Sequence, residues 1–305
     1  MDDFAQKNPP TDSARVLERV SALAEQFPFL TVTPLGNSIL GKEIPVLKLG
    51  GGKRKFLYVA AHHGMEWLTS DLLLRYAKEY CTFYGTGGSV CGIRVRELWE
   101  SSTVYVVPML NPDGVDYQIH GVDPENPLRN RLIGMNGGSE DFSHWQANAR
   151  GVDLNHNYDS GFAEYKKQES ETGIACGAPT RFSGQEPESE PEVRALCNLI
   201  RFHSPLRLVL SLHTQGEELY WQSRGKSVPG SERAVRMLAA RFGYRLAEAE
   251  GPAAYGGLTD WCIERCGIPA VTVECGKGIN PLPADDASAI YSRLRQGLLT
   301  APVLF

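Results

Sequence analysis

The sequence predicts a single α/β domain built on one mixed, mostly parallel, twisted β-sheet with helices on both faces. Three observations carry this expectation. Apolar runs at 55–61, 103–110, 207–212 and 268–274 read as buried strands. Segments of helical spacing separate them, and strands alternating with helices pack as a sheet covered on both faces. A chain of 305 residues can bury a substantial core, and no repeat, low-complexity tract or Gly/Ser linker divides this one.

The elements follow in order. Residues 1–11 are expected to be a flexible N-terminus ahead of the domain. Helical spacing of Val16, Val20, Leu23 and Ala24 predicts a helix over 11–26. Residues 30–49 predict two strands around the turn Leu35-Gly36-Asn37-Ser38. The 55–61 strand leads through a sharp loop into a helix over about 66–80. The 103–110 strand ends in Asn111-Pro112-Asp113-Gly114, a strong turn sequence. Residues 115–150 show little periodicity, and such a long irregular segment is expected to shape a binding site. Later helices are expected at 190–203, 231–242 (N-cap Ser231, stop Gly243), 258–266 (stop Gly267) and 285–299.

Composition excludes several function classes. A net charge of −5 argues against a nucleic-acid surface, which should be basic. No segment has the apolar length of a membrane span. The N-terminal stretch Met1-Asp2-Asp3-Phe4 lacks an apolar export core. Seven cysteines, an odd number without a Cys-x-x-Cys pair, fit free thiols in a reducing compartment, with Cys262 and Cys266 packing on a helix. A cytoplasmic location is the expectation; the oligomeric state stays open.

Chemistry gathers at strand ends. The 55–61 run is followed by His63-Gly64-Met65-Glu66, and the 207–212 run by His213. Two histidines and one carboxylate form a three-ligand set that leaves zinc an open position, as catalytic zinc sites require. Taken singly, each has an ordinary alternative: His63 as a polar strand end, Glu66 as a favourable charge in a helix's first turn, His213 as a core histidine. Glu274 lies inside a fourth apolar run, where an unpaired buried carboxylate is expensive and needs a partner. His63, Asn111, His213 and Glu274 all fall at or near strand ends, where ligands collect in such sheets.

With these residues in place, the chain resembles the zinc metallocarboxypeptidases, the carboxypeptidase A-like peptidases. The resemblance runs in order through His63-x-x-Glu66, Asn111-Pro112-Asp113-Gly114, Gly151-Val152-Asp153-Leu154-Asn155, Ser211-Leu212-His213, Gly257-Leu258-Thr259-Asp260-Trp261 and Glu274. It implies one zinc ion on His63, Glu66 and His213, with Glu274 as general base toward the attacking water. It also implies that Asp153 hydrogen-bonds a ligand histidine, fixing its tautomer.

Departures from the family pattern bear on substrate. Arginine usually follows the asparagine of the Gly-Val-Asp-Leu-Asn string and grips a terminal carboxylate; here His156 follows Asn155, and histidine has no bidentate fork. The stretch 145–158 is similar to the bacterial branch that cleaves γ-D-glutamyl–diamino acid bonds in cell-wall peptides. That similarity implies a muropeptide substrate, with Asn155 and His156 on its diamino-acid side. Gln146 takes the place of the basic residue that stabilises the oxyanion, and Met65 that of another substrate-binding arginine. Pro252 occupies the position of the closing tyrosine, for which Tyr255 is the nearby substitute, and Arg150 is a further substrate-binding candidate.

Two other readings compete. One is a metallocarboxypeptidase of altered specificity or an N-acyl-amino-acid deacylase. The other is a zinc-bearing muropeptide-binding protein without turnover, favoured by Gln146 and opposed by Glu274.

Overall fold

The computed structural model describes residues 9–305. The first eight residues, with most of the segment expected to be flexible, lie outside the described residues. Helix α1 (Ser13–Gln26) starts where the Asp12 side chain accepts from Arg15 N–H, an N-cap. Strands β1 (Thr31–Asn37), β2 (Glu43–Gly50) and β3 (Arg54–Ala60) follow, then α2 (Leu68–Thr86). A small hairpin of β4 (Ser89–Val90) and β5 (Ile93–Arg94) precedes α3 (Val95–Ser101) and β6 (Ser102–Val107). Next come α4 (Pro112–His120), α5 (Arg129–Met135), α6 (Phe162–Glu171) and α7 (Pro191–His203). The chain closes with β7 (Leu208–His213), β8 (Glu218–Tyr220), α8 (Glu232–Phe242), β9 (Arg245–Ala247), α9 (Leu258–Trp261), β10 (Ala270–Glu274) and α10 (Ala287–Thr300).

Eight strands form one sheet in the order β1-β2-β6-β3-β7-β10-β8-β9. The centre is parallel, from β6 through β3 and β7 to β10. Antiparallel pairs join β1 to β2, β2 to β6 and β10 to β8. The expected mixed sheet is therefore present, and so is its two-sided cover. Phe56 and Tyr58 of β3 pack with α1, α2, α8 and α10 on one face. Leu57 and Val59, one step out of phase, pack with α7 and α9 on the other. A strand buried on both faces must be apolar throughout, which is why the run reads as continuous. Burying each such Leu or Val side chain contributes ~1.5–3 kcal/mol.

Several boundaries differ from expectation. The β1–β2 turn falls at 38–42, because Leu35 and Gly36 continue β1 past an irregularity in register between Pro34 and Gly36. Asn111-Pro112-Asp113-Gly114 is not a free turn but the start of α4: the Asn111 side chain caps Gly114 N–H, and Pro112 occupies the first turn. The 115–150 segment contains most of α4 and all of α5, whose Tyr117 and Leu132 close a small core with Phe142 and Trp145. The helix expected at 258–266 is α9 followed by a π-turn over Cys262–Cys266, and it stops at the left-handed Gly267. Among the described residues no helix is long and apolar enough to cross a membrane.

Candidate metal centre and its cleft

β3 enters the site through Ala61, a non-glycine residue at φ 52. Such a conformation is uncommon and has to be held. Here Ala61 N–H donates to Thr69 Oγ1 at 3.0 Å, and Ala61 O accepts from Asn111 N–H at 3.0 Å. Asn111, just beyond β6, also donates its amide to the carbonyls of His62 and Gln146. Gly64 N–H donates to the same Gln146 carbonyl at 2.9 Å. One asparagine thus ties together the histidine loop, the start of α4 and the 145–147 backbone.

That loop faces the ends of β7 and β10, where His213 and Glu274 are register partners. His63 Nδ1 lies 2.9 Å from Glu66 Oε1, and His213 Nδ1 lies 2.9 Å from Glu66 Oε2. The two histidine Nδ1 atoms are 3.3 Å apart. One ligand atom from each of the three residues falls within 4.8 Å of the others. His63 Nε2 donates to Asp153 Oδ1 at 3.1 Å, because a carboxylate can only accept. With Nε2 committed to Asp153, the neutral ring that a metal ligand requires would turn its Nδ1 lone pair toward the Glu66 carboxylate and the second imidazole. Glu66 Oε2 is buried, and its 2.9 Å contact with His213 Nδ1 is not aligned as a hydrogen bond. Three donor groups turned on one another, with a buried carboxylate oxygen not hydrogen-bonded among them, fit a cation between them. Two imidazoles and one carboxylate are a zinc donor set.

Taken by themselves, the charges of the centre's side chains compensate one another. Burial alone would raise the Glu66 carboxyl, but the His63 and His213 imidazoles outweigh it and hold it well below the usual range. Burial alone would lower His63, and the Glu66 and Asp153 carboxylates outweigh it in the other direction. Glu274 is pushed well up, first by burial and then by the Glu66 charge. His62, which sequence reasoning passed over, is fully buried behind the centre. Its ring stacks on His213 at 5.2 Å, and its Nε2 meets Tyr158 Oη at 2.9 Å. Burial and its two histidine neighbours lower its pKa, so it supports the centre as a neutral ring.

The centre opens into a cleft of about 840 Å³ lined by His63, His213, Glu274, Gln146, Asn155 and His156, among others. Gln146 Oε1 accepts from Thr180 Oγ at 2.6 Å, which leaves the Gln146 amide N–H groups to donate. Asn155 Oδ1 accepts from Leu258 N–H, which likewise leaves its amide N–H groups to donate. His156 is half-buried, stacked on Tyr165 at 4.2 Å, and donates Nδ1–H to Tyr255 O. Burial lowers its pKa, and in the neutral ring Nε2 is an acceptor.

Two expected substrate contacts are not brought together with these. The Arg150 side chain is exposed outside the cleft lining and sits 3.7 Å from Glu190, whose buried carboxylate attracts it. The Tyr255 ring lies outside the lining as well, beneath the Arg224 guanidinium at 5.0 Å, beside a separate recess. Only the Tyr255 carbonyl reaches the site, through His156. Conversely, the structure places in the cleft a residue that sequence reasoning missed, Arg181.

A profile of the zinc carboxypeptidase family matches residues 16–287. The chain belongs to that family. This zinc carboxypeptidase relative is 32% identical over 280 residues to gamma-D-glutamyl-L-diamino acid endopeptidase 1 of Lysinibacillus sphaericus, covering 92% of this chain and 69% of that protein. Its identity to carboxypeptidase A2 of Rattus norvegicus is 24% over 204 residues, 66% of this chain and 43% of the other. The carboxypeptidase A of Helicoverpa armigera shares its fold, with a TM-score of 0.72 at 18% identity over 97% of this chain and 73% of that one. The chain is a zinc metallopeptidase, and His63, Glu66 and His213 are its candidate metal site.

Proposed function

We propose that this peptidase hydrolyses the γ-D-glutamyl–meso-diaminopimelate bond of peptidoglycan stem peptides. The observation that carries the reading is His156: a neutral ring whose free nitrogen accepts, at the position where a carboxypeptidase presents an arginine that only donates. An acceptor beside the donating Asn155 amide suits a partner bearing both an amine and a carboxylate. In the bonded substrate, meso-diaminopimelate has both at the end remote from the scissile bond. The same wall of the cleft carries Glu248, Glu250 and Asp260, which favour a cationic group. The relative in Lysinibacillus sphaericus, by its name, acts on this class of bond.

His63, Glu66 and His213 would hold the zinc ion, which acts as a Lewis acid and lowers the pKa of water. Glu274, at the end of β10 beside His213, accepts the proton of the attacking water and delivers it to the leaving amine. Gln146 turns its free amide toward the developing oxyanion, a donor without a charge. Asp153 holds His63 through Nε2 and so keeps Nδ1 turned toward Glu66.

All seven cysteines stand as free thiols, with Cys81, Cys197, Cys262 and Cys275 buried. This supports a reducing, cytoplasmic setting in which the enzyme trims imported or internally generated muropeptides. Recovery of the protein in the wall fraction would contradict that placement. The activity is tested by mass spectrometry of L-Ala-γ-D-Glu-meso-diaminopimelate incubated with zinc-loaded protein. Free diaminopimelate, abolished by a chelator, is the expected product. An intact tripeptide with zinc bound would overturn the reading.

A further inference from the structure

Arg181 is the only lysine or arginine among the described residues that line the cleft. The arginines that carboxypeptidases present to substrate are replaced here by Met65, Gln146 and His156. A peptide rich in carboxylates therefore meets a single permanent cation.

The fold uses this residue through its backbone. Arg181 N–H donates to Asp153 Oδ2 at 3.0 Å, and its carbonyl accepts from Tyr165 Oη at 2.8 Å. Its φ of 65 is a left-handed conformation rare for a residue with a side chain. Among the described residues no carboxylate forms an ion pair with its guanidinium, although Asp153 holds its backbone. An exposed arginine fixed by its main chain at the rim of a cleft is poised for a ligand.

The cleft's charges come from two separate chain segments. Glu248, Glu250 and Asp260 come from the segment that also positions Asn155, through Leu258 N–H. Arg181 comes from a different segment, next to Thr180, whose hydroxyl holds Gln146. The first segment suits the free amine of the leaving group, and the second, joined through Thr180 to Gln146 beside the developing oxyanion, suits an anion on the acyl side. A γ-linked glutamyl residue has such an anion: its α-carboxylate stays free, whereas an α-linked neutral residue has none.

We propose that Arg181 reads the γ linkage by pairing with the free α-carboxylate of the glutamyl residue. This rests on the peptidase reading above. Arginine matches a carboxylate with two parallel N–H donors, a geometry that lysine lacks.

The test compares kcat/KM for L-Ala-γ-D-Glu-meso-diaminopimelate with the same tripeptide carrying D-isoglutamine, whose α-carboxylate is a carboxamide. The wild type should prefer the acid by roughly ten- to hundredfold, the range of a charged hydrogen-bonded contact. Arg181→Ala should lose a similar factor on the acid and act on both substrates alike, and Arg181→Lys should recover part of the preference. Because only backbone atoms tie residue 181 to the fold, both variants should keep wild-type zinc content and melting temperature. An Arg181→Ala enzyme that still prefers the acid, or a wild type that cleaves both alike, overturns the inference. So does a preference that depends on Arg181 only for substrates amidated on diaminopimelate. A wild type that cleaves neither tripeptide fails at the earlier step and removes the peptidase reading itself.

Discussion

His63 and Asp153 stand ninety positions apart in the chain and meet at 3.1 Å between Nε2 and Oδ1. Asp153 is itself fixed by the backbone N–H groups of Asn155 and Arg181. The histidine ring is therefore oriented from two distant segments at once. Asp153→Ala should weaken zinc binding by about 10–100-fold through loss of that orientation. Competition with a chromophoric chelator measures this, and unchanged zinc affinity would show that His63 is held by other means.

Glu274 is a register partner of His213, but it lies outside the set of atoms that could share a metal ion. Its replacement should separate chemistry from metal binding. Glu274→Gln is expected to lower kcat by a factor on the order of 10²–10⁴ while zinc stoichiometry stays at one per chain. Loss of the metal together with activity would make Glu274 a ligand or a structural support instead.

Gly64 tests how tightly the loop is built. A Cβ there would meet the Gly114 carbonyl oxygen at 2.3 Å and the Trp145 carbonyl oxygen at 2.8 Å, and both are backbone atoms. Gly64→Ala must displace either the start of α4 or the histidine loop. A loss of stability of about 1–3 kcal/mol is expected, as for overpacking elsewhere, with weaker zinc binding because His63 is the adjoining residue. Denaturant unfolding and zinc titration read the two effects separately, and wild-type values in both would refute the close packing.

Glu192 supplies a pH signature away from the metal. It is fully buried in the first turn of α7 and accepts from Ile39 N–H at 3.2 Å. Burial, reinforced by the Glu190 charge, pushes its carboxyl up to about 8. Between the usual 4.5 and about 8 the folded protein holds a proton that the unfolded chain has released. Stability must therefore fall as pH rises through that window, by up to ~1.4 kcal/mol per pH unit from this group. Glu192→Gln keeps the oxygen that Ile39 needs and removes the titration. The variant should be flatter than the wild type between about pH 5 and 8 and run parallel to it above. Parallel curves throughout would mean that Glu192 is ionised in the folded state.

The metal centre was legible because its parts are polar residues at the ends of apolar runs. His63, His213 and Glu274 each interrupt a hydrophobic strand pattern at a parallel strand's carboxyl end. The wider cleft was much less legible. Arg181 sits in a loop with no periodicity, and nothing in the sequence marks its left-handed backbone or its closeness to Asp153. Arg150 was expected in the cleft to make up for the charge missing at Gln146, and Tyr255 because it lies near Pro252, the closing-tyrosine position. Adjacency in sequence does not set side-chain direction: Glu190 draws one away, and Arg224 covers the other. Asn111-Pro112-Asp113-Gly114 was legible as a local signal and misread as an element, since capping and turn chemistry use the same residues. His62 was passed over because its apolar neighbours make it indistinguishable from a core histidine, which is how it behaves toward Tyr158 and His213.

The most direct measurement compares kcat/KM of the zinc-loaded enzyme on L-Ala-γ-D-Glu-meso-diaminopimelate with that on an α-linked peptide ending in a free carboxylate. Release of diaminopimelate from the γ-linked substrate, with the α-linked peptide left largely uncut, is the result expected of a cleft that presents a neutral His156 in place of an arginine. Efficient release of C-terminal amino acids from the α-linked peptide, with the tripeptide intact, would contradict it and make this chain an ordinary carboxypeptidase.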